Sequence, residues 1–220
     1  MDSNIQFNLI QTILVYAIPL LFAITLHEVA HGYIANKLGD PTAKVLGRLT
    51  LNPLKHIDVL GTIVVPALTV WLGGFIFGWA KPVPVTWQNL KHQRRDMALV
   101  AFAGPASNLL MAIVWAFIAK AGILLQMHQH ISGVALEAMG KIGLYVNCML
   151  LVLNLLPMQP LDGGRIVSSF LSGKTRYYYD RLEPYGFVIL IILLATNVLG
   201  YIIGPPLQFL VLFLRGIFGV

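Results

Sequence analysis

The first thing this chain lacks is charge. Only 11% of its 220 residues are Asp, Glu, Lys or Arg, whereas soluble domains carry about 25%. Hydrophobic residues make up 57% of the sequence, and the mean hydropathy is +0.77. These values exclude an ordinary soluble domain and predict a membrane protein. The net charge of +6 implies no nucleic-acid partner, because Lys and Arg cluster in short segments between apolar runs, as in loops that face the cytoplasm.

Cysteine is nearly absent as well. Cys148 is the single one and lies in an apolar run, which excludes a disulfide framework and a zinc site made of cysteines. The first four residues contain no basic side chain, so we expect no cleavable signal peptide. The sequence also shows no internal repeat. Transporters usually have repeated halves with polar residues along several segments, so that class is disfavoured.

What the chain does have is a polar motif within a long apolar stretch. His-Glu-Val-Ala-His occupies residues 27–31, directly after the nearly uninterrupted apolar run from Leu9 to Leu26. Residues four apart lie on one face of a helix, so His27 and His31 can bind one metal ion. Glu28 is displaced by about 100° around the helix and can reach a water on that metal without becoming a ligand. Because burying three polar groups in hydrocarbon is costly, a metallohydrolase is favoured over hydrogen-bonded core histidines.

The apolar pattern predicts an all-α polytopic membrane protein with about five to six transmembrane helices in a single domain, 1–220. The predicted segments are 9–38, 59–79, 97–126, 139–156, 185–203 and the short 207–214, which either crosses or lies at the interface. Glycines interrupt 59–79 and basic loops flank both its ends, so this segment is either a re-entrant hairpin or a true span. Short membrane-edge β-strands are predicted at 44–46, 48–51 and 82–85.

A catalytic zinc ion takes three protein ligands and keeps one position open, so a third ligand must come from elsewhere in the chain. Most acidic residues lie in charged loops, where we expect them to be solvated. Asp162 follows an apolar segment, with prolines before it that end a helix and glycines after it that allow a tight turn. Such a turn can direct its carboxylate back toward the histidines. Asp58 also has an apolar flank. Chemistry alone leaves these two aspartates as alternatives.

Three motifs occur in order along the chain. They are H-E-V-A-H-G at 27–32, F-A-G-P-A-S-N at 102–108 and N-L-L-P-M-Q-P-L-D-G-G at 154–164. Together they resemble the site-2 protease family of intramembrane zinc metalloproteases. The resemblance implies one zinc ion per chain held by His27, His31 and Asp162, with Glu28 as the general base.

The chain departs from the family pattern at Gln159, where proline is usual. It has no hydrophilic stretch long enough for a PDZ or CBS domain. We therefore expect a minimal member, with a core at 9–164 and additional C-terminal helices at 185–220.

The implied activity is the cleavage of peptide bonds within or next to transmembrane segments of membrane proteins. Zinc would lower the pKa of its water to about 7, and the predicted edge strands could capture an unwound substrate by β-addition. Asn108 and Asn154 are amides at membrane depth. Either they stabilise an oxyanion or position the substrate, or they make ordinary interhelical hydrogen bonds.

The expected partners are a transmembrane protein substrate and membrane lipids. We expect a multi-pass protein in the plasma membrane of a prokaryote, with its active site toward the cytoplasmic side. The alternative function is a membrane zinc-binding or transport protein without hydrolysis. Replacing Glu28 separates the two, because only the protease needs a base.

Overall fold

The computed structural model describes residues 7–73, 78–130 and 132–220. These residues contain nine α-helices, a π-helical turn at Val59–Val64 and short 3-10 turns at Pro53–His56 and Trp87–Asn89, and no β-strand. The α-helices are α1 (Leu9–Lys37), α2 (Thr42–Val45), α3 (Val65–Gly73), α4 (Gln93–Met127), α5 (Ser132–Asn154), α6 (Asp162–Phe170), α7 (Gly173–Asp180), α8 (Glu183–Ala195) and α9 (Val198–Phe218). The all-α prediction is confirmed for these ranges.

Four of the described helices, α1, α4, α5 and α9, are long and apolar enough to cross a membrane. Large apolar side chains on them are exposed, among them Leu110 and Phe117 on α4 and Phe209 and Leu212 on α9. Such surfaces are unusual in a soluble protein and are expected where a helix faces lipid. The protein is therefore an integral membrane protein, and the exact number of crossings stays a prediction.

The first long helix begins and ends at clear sequence signals. Asn8 caps α1, because its side chain accepts from the backbone N–H of Gln11 at 2.9 Å and its own N–H donates to the Gln11 side chain at 3.0 Å. Leu38 follows the last turn, and Gly39 has a φ of 117°, a conformation that favours glycine. The bounds predicted for this segment, 9–38, are confirmed to within one residue.

Helix α4 runs antiparallel to both of its neighbours, α1 and α5. The end of α1 meets the start of α4, where the Lys91 N–H donates to the Leu38 carbonyl at 3.1 Å. Helices α4 and α5 pack through small residues: a Cβ added to Gly122, Gly140 or Gly143 would lie 2.3 Å from an atom of the opposite helix. Close packing of this kind is typical of membrane helices, where small residues let two backbones approach.

The predicted edge strands are not confirmed. Lys44 and Val45 belong to the helical turn α2, and no ladder forms at 48–51 or 82–85. In the third of these segments a ladder has fewer donors, because the prolines at 82 and 84 carry no N–H and the Val83 N–H donates to Glu28. The backbone N–H and C=O groups in and beside this segment form hydrogen bonds with side chains instead.

Residues 79–86, which we call the proline segment, run beside the end of α1. The Val83 N–H donates to Glu28 at 2.7 Å, and the Thr86 N–H donates to Asp40 at 2.7 Å. On the carbonyl side, the guanidinium of Arg48 donates to Lys81 at 3.0 Å. A connection with few backbone partners is thus held by side chains of α1 and the loops around it.

The segment predicted at 59–79 starts and finishes at the same place. The Trp79 N–H donates to the Gly61 carbonyl, and the Thr62 hydroxyl donates to the Trp79 carbonyl, both at 3.0 Å. Gly61 allows this approach, since a Cβ there would lie 2.4 Å from the Trp79 indole nitrogen. The two ends of the segment therefore lie side by side.

The boundaries predicted for the C-terminal helices are wrong. One segment was expected at 185–203 and a short one at 207–214, but α8 ends at Ala195 and α9 continues through Pro205 and Pro206. The break lies at Asn197, which has a φ of 59°, and asparagine tolerates this left-handed conformation. Membrane helices accommodate prolines in their interior, so the pair does not end α9.

Candidate metal centre

His27, His31 and Asp162 converge on one point. His27 Nε2 lies 3.0 Å from His31 Nε2, and the two nitrogens lie 3.2 and 3.3 Å from the two carboxylate oxygens of Asp162. His27 and His31 are neighbours on one face of α1, and Asp162 is the first residue of α6. Within the described ranges, this is the one group of three such side chains whose ligand atoms all lie within 4.8 Å of one another.

Both imidazoles are oriented by contacts between their Nδ1 atoms and α4. His27 Nδ1 lies 2.6 Å from Asn108 Oδ1, and His31 Nδ1 lies 2.7 Å from the carbonyl oxygen of Val100. A carbonyl oxygen can only accept, so each Nδ1 carries the proton and donates. Each neutral ring then turns the lone pair of its Nε2 toward the other ring and toward Asp162, as in histidines that ligate a metal.

These three residues fit a zinc ion. Zinc–ligand distances of about 2.0–2.1 Å in a tetrahedron place the ligand atoms about 3.3 Å apart, close to the three separations of 3.0, 3.2 and 3.3 Å. Asp162 Oδ2 is a buried oxygen without a hydrogen-bond donor in the described part of the protein. Two facing lone pairs beside an unpaired carboxylate oxygen are electrostatically unfavourable unless a cation is shared among them.

Asp162 reaches the histidines because the chain reverses tightly after α5. A Cβ on Gly163 would lie 2.3 Å from the Leu156 carbonyl oxygen, and one on Gly164 would lie 2.5 Å from the Gln159 nitrogen. Only glycine allows this packing of the first turn of α6 against the preceding loop. The Tyr179 hydroxyl of α7 also donates to the Pro157 carbonyl at 3.0 Å, which fixes the loop from outside.

Glu28 lies next to the three convergent side chains in sequence but is not part of their cluster. Its Oε2 accepts from the Val83 N–H, and its Oε1 has no hydrogen-bond partner in the described ranges. This is the arrangement expected for a carboxylate that acts on a water rather than on the metal. The motif alone gave no indication that the proline segment supplies this donor.

The other predicted candidates lie apart from the cluster or serve other contacts. Asp58 caps the π-helical turn, where its carboxylate accepts from the Gly61 N–H at 2.8 Å. Both N–H groups of Asn108 are engaged, so this amide has no donor left for an oxyanion. Asn154 ends α5, and its side chain makes no hydrogen bond within the part of the chain described. An oxyanion role therefore stays a prediction, and only Asn154 retains free donors.

Asp40 anchors the proline segment near the site, and it is fully buried rather than solvated as expected. Burial by itself raises the pKa of this carboxyl, but hydrogen bonds from the Thr42 hydroxyl, the Asn89 amide and the Thr86 N–H favour the anion. The outcome is a pKa below the usual value of aspartate. The carboxylate therefore stays ionised and holds the segment at neutral pH.

Comparison with known proteins agrees with this centre. The family model described as peptidase family M50 matches residues 121–196, a range that includes Asp162. YwhC of Bacillus subtilis, which is named as a candidate zinc metalloprotease, is 38% identical over 197 residues, covering 87% of this chain and 84% of YwhC. The chain belongs to peptidase family M50.

Two mycobacterial relatives are less similar and are also named as candidate zinc metalloproteases. Rip2 of Mycolicibacterium smegmatis is 32% identical, covering 82% of this chain and 66% of that protein. Rip2 of Mycobacterium tuberculosis is 30% identical, covering 84% and 68%. No solved structure matches the chain. Membership of the M50 family confirms the resemblance to site-2 proteases.

Proposed function

We propose that this M50 family member is an intramembrane zinc endopeptidase that hydrolyses peptide bonds within or next to transmembrane segments of other membrane proteins. The observation that carries the proposal is the convergence of His27, His31 and Asp162 beside Glu28, where three of the four residues lie on α1, a helix apolar enough to cross a bilayer. Ionisable groups in such helices are costly and are retained for function.

In this proposal His27, His31 and Asp162 hold one zinc ion per chain. When bound, zinc supplies Lewis acidity, which polarises the scissile carbonyl and lowers the pKa of the attacking water. Asn108 and the Val100 carbonyl keep the two imidazoles in the required tautomer and orientation. Asn154, whose amide is free within the described ranges, is our candidate for stabilising the oxyanion or positioning the substrate.

Glu28 moves the proton. Its Oε2 is held by the Val83 N–H at 2.7 Å, which leaves Oε1 to take a proton from the attacking water and pass it to the leaving amine. General bases of this kind contribute about 10²- to 10⁴-fold to rate. Replacement by Gln keeps the shape of the side chain and removes the basic oxygen.

The proline segment is our candidate for the surface that receives the substrate. A helical substrate must be unwound before its carbonyl is accessible, and an extended chain beside the base can bind the unwound part through main-chain hydrogen bonds. The contact between Val83 and Glu28 supports this position, because a strand added alongside residues 82–85 would come close to Glu28. Of the segments predicted for capture, 44–46 is helical and is no longer a candidate.

We further propose that the site opens toward the cytoplasm of a prokaryotic cell, in its plasma membrane. The basic loops, including Lys44, Arg48, Arg94 and Arg95, lie in the connections at the end of α1 and the start of α4, and such loops are retained on the cytoplasmic side. The adjacent ends of 59–79 support a re-entrant hairpin rather than a true span. In this interpretation residues 1–220 form one metalloprotease domain.

The test uses the full chain purified in detergent, with bound zinc quantified and cleavage measured on a panel of single-span substrates. Glu28→Gln should bind zinc as the wild type does and lose at least about 100-fold in cleavage rate. Asp162→Ala should lose zinc, whereas the matched control Asp58→Ala should retain it, because Asp58 only caps a helical turn. Wild-type protein that binds no zinc, or undiminished cleavage by Glu28→Gln, would refute the proposal.

The alternative, a zinc-binding or transport protein, is tested with the same variant. A transporter has no use for a general base, so zinc flux into liposomes would persist in Glu28→Gln. A protease predicts no such flux from either protein.

A further inference from the structure

A series of hydrogen bonds between buried amide side chains, here called the amide chain, leads from the metal centre into the helix bundle. His27 Nδ1 donates to Asn108 at 2.6 Å, Asn108 Nδ2 donates to Asn147 Oδ1 at 2.9 Å, and Asn147 Nδ2 donates to the Gly143 carbonyl at 2.8 Å. Both asparagines are 0% exposed. The chain connects α1, α4 and α5, and it ends on a backbone oxygen that cannot move independently of its helix.

The direction of every bond in this chain is set at its far end. The Gly143 carbonyl can only accept, so Asn147 must present Nδ2 to it and Oδ1 to Asn108. Asn108 must then present Nδ2 to Asn147 and Oδ1 to His27. The Ala23 carbonyl accepts the second N–H of Asn108 at the longer distance of 3.3 Å and favours the same orientation. His27 is thereby left with a protonated Nδ1 and a free lone pair on Nε2.

We propose that Asn147 is a positioning residue for the metal centre, which fixes the tautomer and the ring orientation of His27 through Asn108. The inference rests on the proposed function, because it requires that His27 ligates zinc. Without Asn147, the one donor bond left to Asn108 would be the longer one to Ala23, and one buried N–H would lose its acceptor. The orientation of the Asn108 amide would then no longer be set from α5, and a rotated amide would turn a donor toward His27.

A merely structural role for Asn147 predicts a different outcome. If its hydrogen bond to Asn108 only joined α5 to α4, losing it would lower stability and leave the affinity for zinc unchanged. Leu144 offers the matched control, because it lies one turn away on α5, is 1% exposed and takes no part in the amide chain. Leu144→Ala should destabilise the packing of α5 and leave the metal centre intact.

The test measures zinc affinity by competition with a chromophoric chelator, using the full chain in detergent. We expect Asn147→Leu to bind zinc about tenfold more weakly, at the lower end of the range for residues that orient a ligand. Cobalt in place of zinc should show an altered visible spectrum, because the ring of His27 is no longer held in one orientation. Leu144→Ala should match the wild type in both measurements. Asn147→Asp, whose neutral carboxyl can accept from Asn108 and donate to Gly143, should recover most of the affinity.

Further variants decide the outcome if the leucine substitution impairs folding. Asn147→Ala removes the same acceptor with less bulk and carries the same expectation. In the double variant with Asn108→Ala, the loss should be no greater than for Asn108→Ala alone, because the two residues act in one chain. Wild-type zinc affinity and cobalt spectrum in folded Asn147→Leu and Asn147→Ala, additive losses in the double variant, or an equal loss in Leu144→Ala would overturn the inference. Wild-type protein that binds no zinc would instead overturn the proposed function.

Discussion

Replacing Gly104 by alanine is the smallest change that tests whether the two imidazoles must stay where they are. A Cβ on Gly104 would lie 2.3 Å from His31 Nε2 and 2.6 Å from His27 Cε1. Ordinary van der Waals contact begins at 3.4 Å, so the His31 nitrogen would have to recede by about 1 Å. Neither ring is free to do so, because their Nδ1 atoms are held at 2.6 and 2.7 Å by other parts of the same helix α4.

The expected magnitude follows from how little displacement a metal ligand tolerates. Ligand distances are fixed to about 0.2 Å, so a shift of about 1 Å removes the nitrogen from the metal unless α4 moves away from α1. Inserting a methyl group into packed space of this kind costs about 1–3 kcal/mol of free energy. We expect a cost near the upper end of that range, because the Nδ1 atoms of both rings are held by α4. A loss of about 2.8 kcal/mol in the free energy of zinc binding corresponds to a 100-fold weaker affinity.

The assay compares zinc affinity, cleavage rate and thermal unfolding for Gly104→Ala and a control. Gly216→Ala is that control, because Gly216 is also a helical glycine and a Cβ there would meet nothing within 4 Å. The control should bind zinc and cleave like the wild type. If Gly104→Ala did the same, the reasoning about the fixed imidazoles would be wrong.

Two further predictions concern the proline segment. Asp40→Asn should lower the unfolding temperature at neutral pH, because the new amide sets an N–H against the Thr86 N–H at a cost of about 1–3 kcal/mol. Folding lowers the pKa of Asp40, so its stabilisation is complete above the ordinary pKa of about 3.9 and is lost as pH falls from there through the lower folded value. The difference in unfolding temperature between the two proteins should therefore begin to shrink only below about pH 4, and a difference that stays constant at lower pH would contradict this. Arg48→Ala should raise KM for a single-span substrate without changing bound zinc, because the guanidinium holds the carbonyl of Lys81 in the segment; an unchanged KM in steady-state kinetics would contradict that role.

Local spacing was sufficient to predict one half of the candidate centre. His31 lies four positions after His27, and this spacing alone places both rings on one face of α1, whatever the rest of the chain does. The apolar length of the segment predicted its bounds within a residue, because Gly39 and Pro41 follow it directly. The spacing of the two histidines and the bounds of α1 depend only on residues close together in the sequence, so both can be predicted from it.

The other half depends on a path through space that chemistry alone did not predict. Asp162 follows an apolar segment and Asp58 precedes one. The residues around each aspartate do not show where its carboxylate lies in the folded protein. The outcome depends on the glycine contacts that reverse the chain before α6, and on Gly61, whose N–H occupies the Asp58 carboxylate. The resemblance to a family supplied the choice, which spacing and composition had left open.

Backbone partners were the least predictable part. The donor to Glu28 comes from Val83 and the acceptor for His31 comes from Val100, and a backbone group has no signature in the sequence. Asn147 was missed for a related reason. It lies outside the three motifs, and its importance arises only where α5 packs closely on α4 through glycine. A buried amide in an apolar helix was the signal that could have found it.

The same reasoning explains the glycine that ends the motif at 27–32. Gly32 has no chemistry to offer, yet a Cβ there would lie 2.6 Å from Leu49 and 2.7 Å from Val83. A larger residue on α1 would have to displace both of these side chains, and Val83 is the residue whose N–H donates to Glu28 at 2.7 Å. The glycine therefore leaves room on α1 for the part of the chain that supplies the donor to the base.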